Sequence, residues 1–271
     1  MMRHASAVLL LFVYVSFTSG FAQEAPPKRI EPMPMARPPA DIVITEVLFR
    51  VPRGDSGDAN GDGRRNATGD EFIEIANLGE KPVNIGGYRL IDSNSYAGLT
   101  DKGKRPFNAS EIKADGKGVS FVFPELELAP GEVVVLFNGF EGLPPGDIGT
   151  WQKAAAPNPR FGTARVFALR PEDKFAALGD KGDWVMLITD SGEILETVRW
   201  GSPETQPPAD SGHTREAPTE PPGSVARRNR TSGFQDHAEL YGGALFSPGS
   251  FVPKPSDPGT AVSRPREQNP R

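Results

Sequence analysis

The chemistry most readily named from residue type and spacing lies between Asp58 and Asp70. The run Asp58-Ala59-Asn60-Gly61-Asp62-Gly63-Arg64-Arg65-Asn66 puts side-chain oxygens at its first, third and fifth positions and glycine at its sixth. That is the front half of a calcium-binding loop, because calcium takes about six to eight hard oxygen ligands at about 2.3–2.6 Å and alternate residues of a tight loop converge on one point. Arg64 would add its backbone carbonyl, and Asn66 an amide oxygen or a bridging water. The twelfth position is Gly69, and carboxylates follow one and two residues later as Asp70 and Glu71. The expected site is therefore Asp58, Asn60, Asp62, Arg64, Asn66 and Asp70 around a structural Ca2+. The competing reading is a surface turn in which Asp and Asn favour tight backbone geometry.

Other reactive residue types are sparse. Cysteine is absent, which removes disulfides, Cys-ligated zinc, iron–sulfur sites and a thiol nucleophile. His213 stands in a Pro-rich stretch without a visible scaffold, and His237 beside Asp236 reads as part of a turn packed on the main domain. Glu46, Glu71 and Glu74 fall in strand-like runs, but no base, nucleophile or pocket accompanies them, so no catalytic residue is assigned. Arg227, Arg228 and Arg230 form the one dense basic run and read as a solvated turn. Trp151 is expected to pack over a sheet edge. No glycine loop carries the Lys and Ser/Thr that would hold a nucleotide phosphate.

The elements that must position these groups are short. Ile42–Val51 alternates, with Val43, Thr45, Val47 and Phe49 on one side and Ile44, Glu46 and Leu48 on the other. Similar runs occupy 71–77, 83–91, 119–123, 132–137, 165–169, 184–189 and 194–200, bounded by Gly, Pro, Asn and Asp; Asp190-Ser191-Gly192 fits a tight hairpin. No segment sustains a helical apolar period. Seven or eight such strands in the middle of the chain predict an all-β, antiparallel sandwich.

Composition organises the rest. Residues 1–22 read as a signal peptide: Arg3 and His4 precede the apolar run Ala7–Phe17, and Ser19-Gly20-Phe21-Ala22 gives a small-residue cleavage site before Gln23. Residues 23–40 hold six of the 28 prolines and read as a linker. The sandwich is assigned to 41–201, an irregular extension packed partly on it to 202–252, and a disordered tail to 253–271. The formal charge is −5, near −6 without Arg3, which argues against a general nucleic-acid-binding surface. After signal cleavage no transmembrane segment is expected. The chain is expected to be exported, whether periplasmic, cell-surface or secreted.

The runs also come in a familiar order: Glu71–Gly79 (EFIEIANLG), Val83–Asp92 (VNIGGYRLID), Phe121-Val122-Phe123-Pro124, Leu128–Val133 (LAPGEV), then Gly182–Leu187 with Asp190–Glu193. This series resembles the lamin-tail domain family over roughly Ile42–Gly201, and Ser224–Gly249 is similar to the extension of its exported bacterial members. The resemblance implies an immunoglobulin-like sandwich and no catalytic site. It points to a non-enzymatic module for adhesion or scaffolding at the cell envelope, whose partner would be an envelope or extracellular protein or a polysaccharide. The alternatives are a secreted metal-dependent hydrolase or phosphoesterase using the acidic loop, and a carbohydrate-binding module.

Overall fold

A computed structural model of the chain describes residues 40–114, 117–140, 148–170, 178–209 and 212–251. The expected signal peptide, nearly all of the expected proline-rich linker and the expected disordered tail lie outside the described residues. Two sheets carry the fold, as the alternating strand pattern predicts. The first contains β1 (Ile42–Leu48), β2 (Phe72–Asn77), β7 (Val133–Gly139) and β8 (Arg165–Arg170), and adds β12 (Val225–Ala226) and β13 (Gln235–Asp236) in the order β13-β12-β1-β2-β7-β8. The second runs β11-β10-β9-β4-β5, from β4 (Arg89–Asp92), β5 (Ser120–Val122), β9 (Gly182–Ile188), β10 (Ile194–Gly201) and β11 (His213–Ala217). A small ribbon pairs β3 (Val83–Asn84) with β6 (Glu127–Leu128). Most pairings are antiparallel; β7–β8 and β10–β11 are parallel.

The core lies between the sheets. Ile42, Ile44, Val47, Phe49, Ile73 and Ile75 of the first face Leu90, Phe121, Val185, Leu187, Val198 and Trp200 of the second. Phe49 stacks on Trp200 with ring centroids 4.3 Å apart. The hairpin between β9 and β10 forms at the predicted turn, with Gly192 at φ 90°. Each sheet is also covered on its outer side. Leu48, Phe72, Val135, Phe137 and Val166 pack under Phe161, and Trp184, Met186 and Ile188 under Ile112. α1 (Ser93–Leu99) lies in this second layer, where Tyr96 meets Trp184 edge-on at 5.4 Å. Because outer layers exist, β1 and β2 are buried at every residue. Such strands lose the polar-out alternation of a half-exposed sheet.

Two sequence expectations change here. A bulge in β1 between Ile44 and Glu46 shifts the register, so Ile42 and Ile44 share the inner face with Val47 and Phe49. The simple alternation fails at Thr45. The segment expected to be irregular beyond Gly201 supplies β11, β12, β13 and α2 (His237–Leu240), so it extends both sheets. Its strands are only two to five residues long and gain their order from backbone pairing with β1 and β10.

Candidate functional site

The acidic loop enters from β1 and leaves into β2. Its front half is a ladder of Asx turns, in which a side-chain oxygen accepts from a backbone N–H just ahead. Asn60 Oδ1 accepts from Asp62 N at 2.9 Å, Asp62 Oδ1 from Arg64 N at 2.9 Å, and Asp58 Oδ2 from Gly63 N at 2.9 Å. Gly61 and Gly63 hold φ of 68° and 91°, which glycine adopts without strain. The other oxygen of Asp58, Oδ1, is buried and has no hydrogen-bond partner.

Asp70 closes the loop. Its Oδ1 accepts from Asn60 N at 3.0 Å and its Oδ2 from Asn66 N at 2.6 Å, tying the two halves together. Burial, the largest influence, raises its pKa to about 6. Asn66 lies in the back half, where its Oδ1 accepts from Thr68 N and Gly69 N. Asn60 Nδ2 donates to Gly139 O at 3.0 Å, anchoring the loop to the end of β7. Arg64 is exposed, and Arg160 donates to the carbonyl of Gly61. Thus Asn60, Asn66 and Asp70 form one bonded unit, and Asp58 and Asp62 belong to the Asx ladder beside it. Among the described residues no three His, Cys, Asp or Glu side chains gather in a metal-holding group. A cation here would rest on mixed carboxylate, amide and carbonyl oxygens, with the spare Asp58 Oδ1 as its first ligand. Glu71 is bonded elsewhere, accepting from Asn138 Nδ2 and Leu178 N.

A second acidic centre uses two of the three strand glutamates. After the β1 bulge Glu46 stands opposite Glu74 in the register, and both are buried. The carboxylate pair therefore exists, and its partners come from the C-terminal extension. Ser224 Oγ donates to Glu46 Oε1 at 2.6 Å, Ser247 N to the same oxygen at 3.0 Å, and Gly249 N to Glu74 Oε2 at 2.7 Å. Thr45 Oγ1 donates to Glu74 Oε1 at 2.6 Å. His237 is fully buried above Glu46, with its Nε2 at 2.7 Å from Ser247 Oγ and its Nδ1 at 2.7 Å from Ala244 O. Burial first, then the charge of Glu46, pushes Glu74 up to about 8; burial also raises Glu46.

A third group corrects the reading of the arginine run. Arg227 is fully buried, and its Nη1 meets both oxygens of Glu196 at 2.9 and 3.0 Å. Ile44, at the bulge, donates its N–H to Glu196 and accepts from Arg227. The guanidinium also lies 5.2 Å from the ring centre of Phe234. Arg228 and Arg230 are partly exposed, and Arg230 pairs with Asp41 at 2.7 Å. Trp151 does not pack over an edge: it is 47% exposed at the tip of the Thr150–Lys153 turn. His213 starts β11, which pairs with β10, so it has the scaffold that the proline content seemed to deny. The Asp92 N-cap, which accepts from Ser95 N, and Asp183, which accepts from Ser93 N, fix α1 and carry no assigned chemistry. An Asp followed by Ser-Asn-Ser was the readable signal for that cap.

Fold and site together define an all-β, immunoglobulin-like sandwich module with an acidic loop between its first two long strands. Residues 36–202, more than half of the chain, match the Lamin Tail Domain family, and the chain belongs to that family. No curated protein matches it. The match ends before the extension that supplies Ser224, Arg227, His237 and Ser247. No helix among the described residues is long and apolar enough to cross a membrane.

Proposed function

We propose that the chain is an exported, non-catalytic lamin-tail module that serves adhesion or scaffolding at the cell envelope, with its acidic loop ordered by calcium. The observation that carries the non-catalytic reading is how its buried acids are used. Glu46, Glu74, Glu196 and Asp70 each accept hydrogen bonds that close a loop, a bulge or the C-terminal extension. Groups committed in this way hold the fold, whereas a general acid or base must reach a substrate. The calcium reading is supported by the Asx ladder and by the buried, unpartnered Asp58 Oδ1. Export is supported by the N-terminal apolar run and its small-residue cleavage site.

Two assays test this. Purified chain should be retained on envelope material of the producing organism and should leave phosphoester, ester and glycoside reporters intact with or without calcium. Calcium-dependent turnover of any reporter would replace this reading with a metal-dependent hydrolase.

A further inference from the structure

The structure holds a second feature unrelated to the acidic loop. A cleft of about 530 Å³ opens between α1 and the connection that follows it, lined by Gly98 and Leu99 and by Arg105, Glu111, Lys113 and Lys117. Its volume falls within the roughly 300–1,000 Å³ of small-ligand clefts. In a chain of formal charge −5, three cations face one carboxylate there. That carboxylate is already engaged, since Arg105 Nη1 lies 2.8 Å from Glu111. Among the described residues neither Lys113 nor Lys117 has a carboxylate within salt-bridge distance, and both are exposed.

The adjoining turn, outside the cleft lining itself, adds two more exposed lysines, Lys102 and Lys104, the latter 3.6 Å from Asp101. Asp101 and Lys102 hold φ of 47° and 54°, a left-handed backbone that side chains disfavour. The turn is pinned there by Lys102 N to Ala97 O, Gly103 N to Thr100 Oγ1 and Arg105 N to Thr100 O. A basic rim is thus held on ordered backbone. Lys113 and Lys117, without a carboxylate partner among the described residues, leave positive charge at the cleft that a bound anion would neutralise.

We propose that this cleft binds an acidic sugar unit of an anionic polysaccharide. The cationic rim meets the carboxylate, sulfate or phosphate group, and Leu99 with the open face of Gly98 meets the C–H face of the ring. Single-stranded nucleic acid fits less well, because its bases need aromatic platforms and the cleft lining has none. The proposal deepens the adhesion reading by naming a partner class, and it rests on that reading for its purpose.

The test is titration of the full purified chain at low salt with polygalacturonate, dextran sulfate, inorganic polyphosphate, anionic phospholipid vesicles, duplex DNA and neutral dextran. Polygalacturonate or dextran sulfate should bind and neutral dextran should not; which of the two binds more tightly distinguishes carboxylate from sulfate as the recognised group. The double variant Lys113→Glu/Lys117→Glu should weaken binding at least tenfold, and Lys81→Glu, at an exposed lysine outside the cleft, should leave it unchanged. Gly98→Leu provides a second variant, since Gly98 lines the cleft and a Cβ there meets nothing within 4 Å. It should block binding at an unchanged melting temperature. Equal binding by the variants, or tighter binding of polyphosphate, vesicles or DNA than of any acidic polysaccharide, overturns the proposal. Retention on envelope material that survives both cleft variants would refute this site and leave adhesion standing. Cleft-dependent polysaccharide binding without envelope retention would do the reverse.

Discussion

Acidic groups stand in two settings in this molecule. In the loop, Asp58, Asn60 and Asp62 bond to N–H groups two to five residues away, and Asp58 and Asp62 remain partly open to solvent. At the bulge and under the extension, Glu46, Glu74 and Glu196 are buried and meet partners 19 to 201 residues away. The first arrangement leaves one oxygen, Asp58 Oδ1, without a partner, and it is there that the proposed cation would bind. The second has lost its solvent, and burial outweighs every compensating contact, so all three glutamates shift upward. Acid content alone therefore says little; the distance to the partner decides whether an acid shapes a loop or locks two distant segments.

The largest effect should come from breaking the lock. Arg227→Ala leaves buried Glu196 with only Arg215, at 3.4 Å, as a cation and should cost about 3–5 kcal/mol in a urea melt, as removal of one partner of a buried pair does. A loss under 1 kcal/mol would mean that the extension is not fastened there. Next comes Asp70→Ala, which orphans the N–H groups of Asn60 and Asn66. It should cost about 2–3 kcal/mol even in chelator, on the scale of hydrogen bonds to a charged acceptor.

Glu74 gives a pH test of the second setting. Its folded pKa is raised from the ordinary 4.5 to about 8, so the fold binds a proton that the unfolded chain releases. Its contribution is fully present below about pH 4.5 and is lost as pH rises through about 8. Glu74→Gln mimics the neutral acid and should flatten the fall in stability across that window. An unchanged slope would show that Glu74 is ionised in the fold. The smallest effect belongs to Asp58→Ala, which in chelator should change stability by less than about 0.5 kcal/mol, like other changes at partly exposed sites.

The same contrast explains what could be read in advance. The strand series, the hairpin at Asp190-Ser191-Gly192 and the acidic loop are local patterns, set by alternation and by offsets of two to five residues. The bulge at Thr45 was not legible, since nothing within β1 announces it and its exposed peptide groups are met by Glu196 and Arg227 from far along the chain. Arg227 looked like one of three surface arginines until Glu196 and Phe234 surrounded it. His213–Ala217 reads as a loop because its side chains alternate only weakly, and its order comes from the neighbouring β10 backbone.

Calcium in the loop from Asp58 to Asp70, as proposed, should stabilise the whole chain. The most direct test is a thermal melt of the full chain at pH 7.5 in chelator and then in calcium, beside Asp58→Ala. At free calcium 100-fold above Kd the wild-type chain should gain about 2.7 kcal/mol, or about 5–10 °C in Tm, and Asp58→Ala should gain nothing. Below about pH 6 the gain should fade as Asp70 takes up its proton. A wild-type Tm that is the same in calcium and chelator would contradict the claim.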